Sequence, residues 1–149
     1  MNILRAVRSG RKSSGEFSVE LDLANYQDLM QVRMGVITND QVRRTRISGL
    51  VDTGATRLVL PPSVVSALGL TSAGQVTCQF ADGREAVREV VNDAFVELLG
   101  RSATFKAIVE PTRTDALIGA IVLEELDFIV DCLNMTLVPR DPNGIISYM

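Results

Sequence analysis

The chain has 149 residues and a formal charge of −3, with 46% apolar, 22% charged and 5% aromatic residues, no Trp and no His. A single core is viable at that length, burying roughly 70% of the extended-chain surface, and with so few rings it must be aliphatic. The absence of His excludes Ser-His-Asp and Cys-His catalysis, His-bearing zinc sites and His pH switches, so acid–base chemistry falls to carboxylates, or failing them to Lys12, Lys106, a Cys or a Tyr.

Taken in chain order, residues 1–16 read as a basic flexible leader. Arg5, Arg8, Arg11 and Lys12 place +4 in the first 12 residues, leaving 11 basic against 18 acidic residues, or −7, in the other 137. An acidic body argues against a nucleic-acid platform. The start has no apolar run long enough for a signal peptide. The longest apolar stretch, Ala116 to Leu123, is far too short for a membrane span. A soluble cytoplasmic protein is expected, with no membrane or nucleic-acid partner, and with Cys78 and Cys132 as buried thiols rather than a disulfide.

Phe17 to Leu23 alternates, with Phe17, Val19, Leu21 and Leu23 on one face, and predicts a half-buried strand. Asn25 to Gly35 predicts a short helix capped by Asn25, with Tyr26, Leu29, Met30 and Met34 facing inward. Strands follow at Arg44–Val51 and Arg57–Leu60. A helical turn then begins at Pro61-Pro62-Ser63 and stops at Gly69. Gln75–Phe80, Asp82-Gly83 and Glu85–Val91 form a hairpin, since Asp-Gly between alternating runs is a strong turn signal. Phe95–Leu99, a turn at Gly100-Arg101 and Ala103–Val109 give a second hairpin. Leu117-Ile118 is a buried strand end closed by Gly119; Ile121–Leu126 is helical; Phe128–Val130 and Thr136–Val138 are short strands. Many short strands with spaced turns predict an all-β barrel or sandwich.

The chemistry concentrates at Val51-Asp52-Thr53-Gly54-Ala55-Thr56. A buried strand running straight into an Asp is costly unless that carboxylate is hydrogen-bonded. Gly54 lets the chain turn tightly and bring N–H groups to the Asp52 oxygens, and Thr53 and Thr56 add hydroxyl donors. Leu50 to Thr56 resembles the active-site loop of the retropepsin-like (retroviral-type) aspartic proteases. Leu117-Ile118-Gly119-Ala120 is similar to the family's second element downstream, and the Gln75–Val91 hairpin lies where the family keeps its flap. The likeness covers about Arg44 to Pro139.

The resemblance implies a small closed β-barrel of the acid-protease type with one or two short helices, spanning 17–139, with a tail over 140–149. It implies an aspartic endopeptidase. That chemistry needs two carboxylates sharing a proton around one water, because adjacent like charges cannot both ionise. Asp-Thr-Gly occurs once in this sequence, so a homodimer must supply the second copy across a two-fold axis. Asp52 is then the catalytic residue. Thr53 and Gly54 form the active-site loop and dimer contact, with Thr53 bonding across the axis. Gly54, Ala55, Thr56, Asp82, Gly83, Ile118 and Gly119 meet a peptide or protein substrate. No metal or organic cofactor is implied. The hairpin tip lacks the family's run of glycines, residues 1–43 exceed its compact pattern, and Arg140–Gly144 is turn-like rather than strand-like.

Rival readings are a structural turn carboxylate at Asp52, and a non-catalytic dimeric peptide-binding or scaffold domain of the same fold. A phosphate loop of the actin-like kind needs two large lobes that this length cannot supply, and no P-loop or dinucleotide fingerprint is present. Arg43, Arg44 and Arg46 read as a solvated strand face, or as a contact to acidic substrate.

Overall fold

A computed structural model describes residues 16–149. The basic leader, Glu16 excepted, lies outside the described residues. Nine strands and three short helices follow: β1 (Phe17–Asn25), α1 (Tyr26–Arg33), β2 (Arg44–Val51), β3 (Leu58–Leu60), α2 (Pro62–Leu68), β4 (Ser72–Gln79), β5 (Glu85–Leu98), β6 (Arg101–Val109), β7 (Ala116–Ile118), α3 (Ala120–Leu126), β8 (Phe128–Asp131) and β9 (Thr136–Pro139).

The expected small closed barrel is present. Strands run β1-β2-β7-β3-β6-β5, and β5 pairs back to β1 to close the ring. β2–β7 and β3–β6 are parallel, the other pairs antiparallel. β4 pairs only with β5, so the β4–β5 hairpin projects from the wall. The core is aliphatic, as the composition requires: Leu21, Leu23, Val51, Leu58, Leu60, Leu68, Val96, Ile118, Val122 and Leu126 are all fully buried. The separate β8–β9 hairpin adds Phe128, Val130 and Leu137 to that cluster. Among the described residues no helix is long and apolar enough to cross a membrane. Both thiols are free, and they are half-buried rather than buried.

Three local expectations are corrected. The first concerns α1, which spans Tyr26–Arg33 and ends at Met34. Its buried residue is Asp28, whereas Met34 is 66% exposed. The apolar periodicity fails because the helix is seated on a polar node. Asn25 Oδ1 accepts from the Asp28 N–H, and Asn25 Nδ2 donates to Leu68 O at 2.8 Å. Arg43 donates to the Asp28 carboxylate from its backbone N–H, Nε and Nη2 at 3.0, 2.9 and 2.9 Å. The Arg43 guanidinium occupies the space a side chain at Gly69 would fill.

The second correction is that Glu85–Val91 and Phe95–Leu99 belong to one 14-residue strand, β5. Asn92-Asp93 is not a break but a bulge: between Val91 and Ala94 the pairing with β6 slips by one residue, and Asp93 takes φ +68°. Asp is among the residues that tolerate this region. The bulge re-aims the strand, so its first half pairs with β4 and its second half with β1. The third is the β5–β6 turn, which sits at Leu99-Gly100, both at positive φ (+50° and +84°), as a two-residue hairpin of matching twist requires.

The polar node gives a pH test. Hydrogen bonding by the Arg43 guanidinium holds the Asp28 carboxyl below its usual range. A depressed folded-state pKa contributes stability that is present above the unfolded value of about 4 and is lost as pH falls through the folded value. Asp28→Asn is expected to cost about 1–2 kcal/mol at pH 7 and to remove that component of the acid-induced loss, read by urea unfolding at pH 7 and below pH 4.

Candidate active site

The loop from Asp52 to Arg57 joins β2 to β3, and the core dictates its shape. β2 lies between β1 and β7, with Val51 opposite Phe17 on one side and Ile118 on the other. The Asp52 N–H donates to Ile118 O at 3.1 Å, extending that ladder by one rung. There the strand ends and the chain folds back: the Ala55 N–H donates to Asp52 O at 3.1 Å, and the Gly54 N–H donates to Asp52 Oδ1 at 2.9 Å. The half-buried carboxylate thus gains the N–H contact that its position demands.

The loop is held from behind by the start of α3. The Ala120 N–H donates to Ala55 O and the Ile121 N–H to Thr56 O, both at 2.9 Å. These are among the first N–H groups of the helix, which have no partner within it. Gly119 makes the approach possible. A Cβ there would lie 2.4 Å from Arg57 O and 2.7 Å from Arg57 N.

Thr53 differs from its neighbours. Its Oγ1 is buried and has no hydrogen-bond partner among the described residues. An unmade hydroxyl bond of this kind costs about 1–3 kcal/mol.

A groove of about 470 Å³ opens beside the loop, and Gly54, Ala55, Thr56 and Arg57 form one wall. Val59, Ile108 and Leu117 form its floor, Val76 to Gln79 on β4 with Phe80 just beyond it the roof, and Glu110 and Arg113 complete the lining. The floor is an in-register row, since Leu117 pairs with Val59 and Val59 with Ile108. Arg88 on β5 ties the hairpin to Glu110, its Nε donating to Glu110 Oε1 at 2.8 Å; that hydrogen bond keeps the Glu110 carboxyl below its ordinary range.

Of the residues singled out from sequence, Gly54, Ala55 and Thr56 line the groove, whereas Asp52 and Thr53 precede that wall in the chain and do not line it. Asp82 and Gly83 sit at the exposed hairpin tip and do not line it. Asp82 is bound locally: its Oδ1 accepts from the Arg84 N–H at 3.0 Å and its Oδ2 from Arg84 Nε at 2.6 Å. These bonds, the backbone N–H first, hold its carboxyl low. Ile118 is fully buried, and Gly119 is buried beneath the Arg57 backbone. Neither reaches the groove, because both are part of the packing behind the loop. Arg43, Arg44 and Arg46 lie away from the groove and bond to Asp28, Asn39 and Asp22 respectively. The groove floor escaped sequence reasoning because Leu58-Val59-Leu60 is apolar on both faces and reads as core throughout, with no alternation to mark Val59 as outward.

A family profile described as aspartyl protease matches residues 32–122, more than half of the chain. No curated protein matches it. Among solved structures, the simian foamy virus (mac) protease in solution is 16% identical, with a TM-score of 0.43 over 53% of this chain and 81% of that one. The EIAV protease complexed with the inhibitor HBY-793 is 19% identical, with a TM-score of 0.47 over 55% of this chain and 78% of that one. The foamy viral protease–reverse transcriptase in complex with RNA/DNA hybrid is 18% identical, with a TM-score of 0.44 over 53% and 10%.

Gly119→Ala tests the packing behind the loop. The new methyl meets backbone rather than a flexible side-chain end, so a loss of about 1–3 kcal/mol is expected, with amide NMR shifts concentrated at 52–57. An unperturbed loop and unchanged denaturation midpoint would contradict the contact.

Proposed function

Because the chain belongs to the aspartyl protease family, we propose that it is an aspartic endopeptidase whose water is activated by two Asp52 carboxylates, one from each chain of a homodimer. The ionised Asp52 takes a proton from the water. The water oxygen attacks the peptide carbonyl carbon, while the protonated Asp52 of the second copy gives its proton to the carbonyl oxygen. The tetrahedral diol then collapses: the protonated carboxyl gives its proton to the nitrogen, the C–N bond breaks, and one diol hydroxyl returns its proton to the other carboxylate, leaving the acid, the amine and a singly protonated dyad. No metal or cofactor takes part in the proposal.

The observation that carries the dimer is that Asp-Thr-Gly occurs once in the sequence, while the chemistry needs two such carboxylates. A second copy on a two-fold axis would bring the second carboxylate. In this reading Thr53 and Gly54 form the contact between loops. Gly54 presents backbone to the substrate, and Ala55 and Thr56 line its path. The tip at Asp82 and Gly83 closes over the peptide and excludes water. Ile118 and Gly119 support the loop from behind and so fix the carboxylate position. The domain boundaries belong to the proposal too: a leader to 16, the protease domain over 17–139 and a tail over 140–149. The alternative, a dimeric peptide-binding or scaffold module, shares all of this except turnover.

Two measurements test the proposal. Wild type is expected to cleave members of a mixed peptide library, and Asp52→Asn to lose at least about 10²-fold in rate. A folded wild type without cleavage at any pH, yet binding peptides, selects the scaffold reading. Sedimentation at micromolar concentration is expected to give a dimer, weakened roughly tenfold by Thr53→Ala; a strict wild-type monomer removes the composite site.

A further inference from the structure

The groove carries three charged side chains, Arg57, Glu110 and Arg113. Two are already neutralised. Glu110 is bound to Arg88 at 2.8 Å, and Arg113 Nη2 donates to Asp115 Oδ1 at 2.7 Å, with three of these four side chains less than one-quarter exposed. Arg57 makes no salt bridge or side-chain hydrogen bond among the described residues. In an acidic protein with 18 carboxylates, an Arg left without one at the wall of a groove is unusual in its surroundings. The recess on its other side also holds Lys106 and Glu125, neither of which makes a salt bridge among the described residues, so with Arg57 its formal charge is net positive.

Its position is set by the fold. Gly119 packs against the Arg57 backbone, and the next residue, Leu58, is fully buried and paired to both Ala107 and Ile118. Arg57 sits at the bend just before β3 and lines the groove together with Val59, while Leu58 and Leu60 enter the core. Arg57 therefore flanks the middle of the apolar row Leu117–Val59–Ile108, two residues from Val59 and at most roughly 7 Å of backbone away. That is also the spacing of same-side residues in an extended peptide.

We propose that Arg57 is a specificity-determining residue that selects peptides carrying a carboxylate side chain within two positions of the apolar residue seated on the Leu117–Val59–Ile108 row. The inference rests on the endopeptidase reading of the same groove. The guanidinium offers a planar fork that matches a carboxylate, in a groove partly shielded by the hairpin. The net charge of the protein repels acidic peptides at long range, so the discrimination must arise at this contact and not from steering.

The test uses paired peptides with one central Leu, identical except for Glu or Gln at each flanking position within two residues, cleaved by the wild-type protein. At one of these positions a Glu/Gln ratio of about ten in kcat/KM is expected. The ratio should fall to about one in Arg57→Gln, be partly kept in Arg57→Lys and drop below one in Arg57→Glu. A wild-type ratio near one at every position, or a preference that persists in Arg57→Gln, overturns the inference while leaving the protease intact. If no peptide of either kind is cleaved, the endopeptidase reading has failed, and the inference is then judged by binding of the same labelled peptides. A Glu preference that vanishes in Arg57→Gln supports it, and equal affinities refute it.

Discussion

A carboxylate at the end of a buried strand is held in place here by hydrogen bonds that belong to another element. The carbonyls of Ala55 and Thr56 receive the first N–H groups of α3, and Ile118 O receives the Asp52 N–H. The exchange is reciprocal: the loop caps a helix that has no side-chain cap of its own, and the helix fixes the loop. Two features follow from it. Position 119 must be glycine, since backbone fills the space of a side chain. Among the described residues the Asp52 oxygens have one donor, the Gly54 N–H.

The rest of the fold serves to set β2 between β1 and β7 and to raise a roof over the result. β1 belongs to both sides of the barrel closure, pairing with β2 along nearly its whole length and with β5 near its end. Its last residue, Asn25, also caps α1 and bonds to Leu68 at the end of α2, so one side chain joins three elements. The roof is stiffened by charge instead of loosened by glycine. Arg84 and Arg88 stand over the Phe80 ring at 5.3 and 5.7 Å, a contact worth about 0.5–1 kcal/mol at an exposed site.

The parts of this arrangement that depend on near neighbours in sequence were legible. Asp-Thr-Gly after an apolar run, the Asp82-Gly83 turn, and Pro62 opening and Gly69 closing α2 each announce themselves through local backbone chemistry. The parts decided by distant contacts were not. The inward face of α1 is set by Arg43, fifteen residues from Asp28, so its apolar spacing misleads. Asn92-Asp93 has the composition of a loop, but both flanking segments pair with β6 and the pair becomes a bulge. Val59 looks like core because a short strand apolar on both faces carries no alternation, and only its pairing with Leu117 and Ile108 reveals an outer row. The solitary state of Thr53 Oγ1 is likewise a property of the packed molecule.

The bulge in β5 has a mechanical meaning. Because β5 runs unbroken from the projecting hairpin into the barrel, the hairpin joins the barrel at Asn92-Asp93, braced on one side by the Asn92 N–H donating to Thr71 O at 2.9 Å and on the other by Gln27 Nε2 donating to Asp93 Oδ2 at 2.9 Å. Gln27 belongs to α1, which lines no part of the groove. The base of the hairpin is thus tied to a helix outside the groove, so side-chain changes on that helix bear on the bulge without altering a residue that lines the groove.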